Sequence, residues 1–87
     1  MEGKAIEFPV AYELKAVMQG AETDEENKSK LVAVFIQLKI KHNYLTKKVS
    51  SKGTYTSFTY KISLKSRKQM DELYAALKQV DGLKFAV

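Results

Sequence analysis

Cysteine and tryptophan are absent from these 87 residues, and proline and histidine each occur once. Without cysteine there is neither a disulfide framework nor a thiolate metal site, so the chain must fold on its apolar core alone. A chain of this size buries only about 60% of the surface its unfolded form exposes, which leaves room for one modest core. No apolar stretch approaches the ~18 residues that a membrane-spanning helix needs. Met1 is followed by Glu2, Gly3 and Lys4 with no apolar run behind them, so no secretory signal is expected. The expected compartment is the cytoplasm. With a single histidine and no thiol, a nucleophile–base–orienter set cannot be assembled, and no catalytic residue, metal site or cofactor is assigned. No glycine-rich phosphate fingerprint is present either.

What the chain does have is lysine, unevenly placed. Residues 1–43 hold six lysines against seven acids, a balance of −1. Residues 44–87 hold nine Lys/Arg against three acids, +6, and together they make the net +5. A basic half attracts anionic ligands, acidic proteins and nucleic acid alike.

Residues 1–8 read as a flexible polar tail and residues 9–87 as one domain. Tyr12, Leu14, Ala16 and Met18 alternate with more polar neighbours, the period of a half-buried strand that Gly20 ends. Thr23-Asp-Glu-Glu26 is a capping box, and its acids suit a helix start. The helix is predicted to run to about His42, with Leu31, Val34, Phe35 and Leu38 on one face, and Lys39, Lys41 and His42 as C-terminal cations. Tyr44–Ser50 reads as a short strand, Ser50-Ser51-Lys52-Gly53 as a hairpin turn, and Thr54–Lys65 as a longer strand. In the longer strand Thr56, Phe58, Tyr60, Ile62 and Leu64 face inward. Ser66-Arg-Lys-Gln69 is a second capping box, opening a helix striped with Met70, Leu73, Tyr74, Leu77 and Val80 that Asp81-Gly82 ends. Leu83 to Val87 forms the last strand, with Leu83, Phe85 and Val87 inward. The order βαββαβ, with right-handed crossovers, predicts an α+β ferredoxin-like sandwich: a four-stranded antiparallel sheet with two helices on one face.

Three stretches, Phe8-Pro9 leading into Tyr12–Met18, Val49-Ser-Ser-Lys-Gly-Thr-Tyr-Thr-Ser57, and Met70–Asp81 before a short apolar strand, resemble the YbeD-like family of small bacterial proteins of unknown function. The resemblance implies an ACT-like, ferredoxin-like fold, and with no acid–base set in the sequence the expected function is a non-catalytic regulatory or adaptor domain that binds a ligand or protein partner. It brings no site residues with it.

Three surfaces are candidates for binding. Ser50, Ser51, Lys52, Gly53 and Tyr55 combine hydroxyls, turn amides and an ammonium that could hold an anion, or they form only a polar turn with its required glycine. On the first helix, at about 100° per residue, Val32, Ala33, Ile36 and Ile40 make a second apolar arc beside the core stripe. Either the second helix covers Val32, Ile36 and Ile40, or they meet a protein partner. Lys15, Lys48, Lys61, Lys65 and Lys84 point to the sheet's outer face, beside Tyr55 as its one aromatic. That composition permits charge-driven RNA or DNA binding without favouring it. The expected assembly is a monomer or weak homodimer, with strand addition at a sheet edge as the rival route.

Overall fold

The computed structural model describes residues 7–20 and 23–87. The tail predicted over residues 1–8 therefore falls mostly outside the described residues. Phe8 is half-buried against the core.

The elements follow the order β1 (Val10–Gln19), α1 (Asp24–Gln37), β2 (Lys41–Val49), β3 (Tyr55–Leu64), α2 (Arg67–Leu77) and β4 (Leu83–Ala86). The sheet order is β2-β3-β1-β4, and every neighbouring pair is antiparallel. This is the ferredoxin-like arrangement that the alternating elements predict. Each crossover helix skips one strand, so β1 and β3 are central and β2 and β4 are edges. Leu14, Ala16 and Met18 from β1 meet Phe58, Tyr60, Ile62 and Leu64 from β3, and Leu31, Val34, Phe35, Leu73 and Leu77 from the helices close over them. Burial of these side chains is the main stabilising term.

The helix starts follow local chemistry. Thr23 Oγ1 accepts from the Glu26 amide at 3.2 Å, and Glu26 Oε1 accepts from the Thr23 amide at 3.2 Å, completing the capping box. Asn27, buried one turn later, donates to the Gln19 carbonyl and ties α1 to the end of β1. At α2 the second box is only half built. Ser66 Oγ accepts from the Gln69 amide, but the Gln69 side chain turns elsewhere, accepting from the Lys65 amide at 2.6 Å and donating to the Leu38 carbonyl at 3.2 Å. Gln69 thus joins the start of α2 to the end of α1.

Three boundaries differ from the sequence reading. α1 ends at Gln37, five residues before His42. Lys39 adopts φ 58°, its amide donates to the Ile36 carbonyl, and the Ile40 amide donates to Phe35. That is a Schellman stop, in which the residue two beyond the cap packs back on the helix. Ile40 accordingly lies in the core, 3% exposed, and not on a helix face. Lys41 and His42 belong to β2, where the His42 ring stacks on Phe35 at 5.0 Å. His42 is no helix-terminal cation. α2 stops at Leu77, and Gly82, at φ 87°, serves the turn into β4 rather than the helix end.

The third difference changes the sheet's outer face. Met18 pairs with Leu83 and Val17 with Phe85, so β4 bulges at Lys84. The extra residue reverses the alternation. Leu83 and Ala86 turn toward the helices, while Phe85 and Val87, expected inward, are exposed.

Candidate functional site on the open sheet face

Both helices lie on one side of the sheet, so the other side faces solvent. β3 sets its pattern: Thr56, Phe58, Tyr60, Ile62 and Leu64 are buried, which turns Tyr55, Ser57, Thr59, Lys61 and Ser63 outward. Strand pairing extends this pattern sideways. Lys48 pairs with Ser57, Ser57 with Val17, and Val17 with Phe85, giving one row across all four strands. The adjacent row runs Thr46, Thr59 and Lys15, whose backbone exchanges hydrogen bonds with Val87 at 2.8 and 2.9 Å. β2 carries a bulge between Tyr44 and Thr46. Without it Lys48 would sit on the helix side.

At the hairpin end these rows form a shallow depression of about 530 Å³, with Lys15, Val17, Lys48, Ser51, Tyr55 and Phe85 in its lining. Its floor is the apolar Val17 and the Phe85 ring, which is 51% exposed. The Lys84 ammonium lies 5.8 Å from the centre of the Tyr55 ring, a loose cation–π contact. None of Lys15, Lys48 and Lys84 is ion-paired among the described residues. Among the described residues, Glu13 is an acid on this face, and it sits opposite Lys61, farther along β1 and β3 than the depression.

The depression unites two of the candidate sets. Ser50, Ser51 and Tyr55 from the hairpin line it together with Lys15 and Lys48 from the lysine set, and Lys84 reaches over Tyr55. Lys61 is separated from it along β3, and Lys65 follows the opposite end of that strand. Within the hairpin most polar groups serve the turn. The Gly53 amide donates to the Ser50 carbonyl, the Tyr55 amide donates to Ser50 Oγ, and Gly53 holds φ 73°. The Gly20 amide also donates to Thr54, and a side chain at Gly20 would place Cβ 2.8 Å from the Gly53 carbonyl oxygen. The amides of Gly53 and Tyr55 are spent on the fold, so the turn offers Ser51 and Lys52, both exposed, more than a cradle of amides.

On the other side of the sheet, Ile36 is 64% exposed and Val32 half-buried. They line a groove with Tyr44 and His42 of the edge strand β2. α2 does not cover Ile36. Ile40 leaves this set, because the Schellman stop buries it. Asp24 pairs with Lys47 nearby, and that carboxylate holds the ammonium above its ordinary range. The Tyr60 phenol is raised mainly by burial, then by Tyr44 and Glu25. Among the described residues no three His, Asp or Glu side chains gather into a metal-binding group, and no helix is long and apolar enough to cross a membrane.

The missed residue is Phe85. Alternation from Leu83 puts it inward, and the sequence has no glycine or proline to announce the bulge at Lys84. With the bulge, Ala86 pairs with Ala16 and Leu83 with Met18, so both inward positions of β4 lie beside inward residues of β1.

Comparison with known proteins agrees with this architecture. The solution structure of protein HP0495 from H. pylori superposes with a TM-score of 0.71 at 14% identity, covering 99% of this chain and 89% of that one. The ACT domain from GTP pyrophosphokinase of Chlorobium tepidum superposes with a TM-score of 0.59 at 16% identity, covering 91% and 96%. Both likenesses concern the fold. In sequence, a UPF0250 protein of Shewanella woodyi is 36% identical over 80 residues, 91% of this chain and 86% of its own length. A UPF0250 protein of Neisseria gonorrhoeae is 34% identical over 73 residues, 83% and 78%. A family model described as "Protein of unknown function (DUF493)" matches residues 3–87. The YbeD-like resemblance read from the first strand, the hairpin and the second helix is thus carried by nearly the whole length, and the chain belongs to the DUF493 family of small bacterial proteins.

Proposed function

We propose that this protein is a non-catalytic binding domain, regulatory or adaptor in role, whose recognition surface is the open sheet face at the hairpin end and whose partner is anionic there. The observation that carries this reading is the four-strand row Lys48–Ser57–Val17–Phe85, with Tyr55, Lys15 and Lys84 around it. The half-exposed Phe85 ring lies beside lysines that have no acidic partner among the described residues, so apolar area and positive charge are offered together, as at a binding surface. Nothing in the family description or the fold likeness points to catalysis, and the ACT likeness fits a domain that works by binding.

The test is amide mapping by NMR during titration with pyrophosphate, polyglutamate and a single-stranded oligonucleotide. Shifts confined to residues 15–20, 48–57 and 83–87 are expected with at least one of them. No movement there with any of the three refutes the reading.

A second reading rests on Ile36. Its exposure beside Val32 and Tyr44 supports a protein partner seated between α1 and the edge of β2.

A further inference from the structure

We propose that the anionic partner of the open face is single-stranded nucleic acid, with Phe85 and Tyr55 as stacking platforms for bases and Lys15, Lys48 and Lys84 on the phosphates. This rests on the reading of the open face as the recognition surface, and it names the partner's chemistry.

Three features separate a nucleic acid strand from other anions. The first is the pairing of aromatic rings with cations. A base offers a flat π face to a ring while its phosphate reaches a lysine, and each stacked base contributes about 1–3 kcal/mol. An acidic peptide or free phosphate would engage the lysines and leave Phe85 and Val17 wet. The second is shape. The depression is shallow and carries residues from all four strands, as a strand threaded across the sheet requires, whereas a duplex keeps its base faces stacked and out of reach of Phe85 and Tyr55. The third is charge. A second copy docking by the same face would set Lys15, Lys48 and Lys84 against their own equivalents, a repulsive arrangement.

The site has a built-in occupant of the Tyr55 ring. Lys84 lies over it at 5.8 Å, and this exposed side chain loses little by moving to a phosphate when a base takes its place. Besides the lysines, the polar groups lining the depression are the hydroxyls of Ser50, Ser51, Tyr55 and Ser57; Ser50 Oγ already accepts from the Tyr55 amide, and Ser57 Oγ donates to the Lys48 carbonyl at 3.3 Å. No rigid fork of donors and acceptors reads base edges there, so binding is tolerant of sequence. Three phosphate contacts give a salt slope of about −2 on logarithmic axes.

The experiment measures fluorescence anisotropy of labelled oligouridine and oligodeoxythymidine, each about 12 nucleotides long, against the full-length protein, with a duplex of equal length and polyglutamate as competitors. Binding of the single strands, with a slope near −2 and poor competition by duplex and polyglutamate, is expected. Equal affinity for RNA and DNA means that base and phosphate carry recognition, and a preference for RNA adds the 2′-hydroxyl; both support the proposal. Phe85→Leu should weaken binding roughly 5-fold or more, the loss of one stacked base, while Phe85→Tyr should restore it. The double variant Lys15→Gln, Lys48→Gln should weaken binding and flatten the salt slope. Phe85 is exposed, so the amide spectrum of Phe85→Leu should show an intact fold away from β4. Full binding by Phe85→Leu overturns the proposal, as does duplex binding as tight as single-strand binding. Open-face shifts with polyglutamate and none with oligonucleotides would refute this inference while leaving the anionic-surface reading standing. Silence with every probe would remove both.

Discussion

The phenol of Tyr12 leaves β1 on the helix side and meets the phenol of Tyr74 on α2, oxygen to oxygen at 2.6 Å. Burial, then this hydrogen bond and the neighbouring phenol, raise Tyr12 well above its usual value near 10. The neutral phenol is the form the fold favours, because ionisation would place charge in a half-buried contact. A group whose pKa is raised on folding contributes stability that is complete below its unfolded pKa and fades as pH climbs past it. The protein should therefore lose stability between about pH 9 and 11, and Tyr12→Phe should lose less over the same interval. Urea midpoints at the two pH values measure this. Equal losses in both proteins would mean that the pair does not couple α2 to the sheet. At neutral pH, Tyr74→Phe should cost about 1 kcal/mol through the lost hydrogen bond.

At the scale of elements, Lys39 marks where periodicity misleads. Apolar residues continue at helical spacing through Ile40, and no glycine interrupts them, so the sequence argues for a longer helix. The competing signal is the alternation Ile40, His42, Tyr44, which leads from the residue before β2 into that strand and places all three on the helix side of the sheet. A lysine takes the left-handed position that glycine usually fills, at a cost of about 1–2 kcal/mol. Lys39→Gly should relieve part of it and stabilise the protein by roughly 0.5–1 kcal/mol after the entropy of a more flexible unfolded chain is deducted. Chemical denaturation measures the change. A destabilised Lys39→Gly protein would show that the lysine side chain contributes more than its backbone costs. The fold was legible where one rule acted alone: the alternation of β3, the box at Thr23, the turn at Gly53. It was illegible where tertiary packing overrode the local period, at Ile40 and at Lys84. The candidate site shares that division. Tyr55 and Lys15 follow from parity, but Lys48 reaches the open face only through the bulge in β2, and Phe85 only through how β4 packs beside β1.

At the scale of the molecule, two edges and two faces compete to decide what the protein associates with. The β2 edge is long but carries Lys41, Lys47 and Lys48 and a bulge at Leu45, devices that oppose the addition of another strand. The β4 edge has only four residues in register as a strand. The open face is lysine-rich and repels its own copy. That leaves the groove at Ile36 as the surface on which two copies could meet without opposing like charges. A monomer is expected at about 0.1 M salt, where the Debye length is about 10 Å and the lysines still act on their near neighbours. Sedimentation velocity over a range of concentrations, on the wild type and on Ile36→Lys, checks this. A wild-type dimer that Ile36→Lys dissolves would assign self-association to the groove. A dimer that Ile36→Lys leaves whole would assign it to a sheet edge, against the reading of β2 as a protected strand. A monomer in both leaves the groove free for a different protein and the open face free for its anionic partner, and because the two lie on opposite sides of the sheet they can be occupied together.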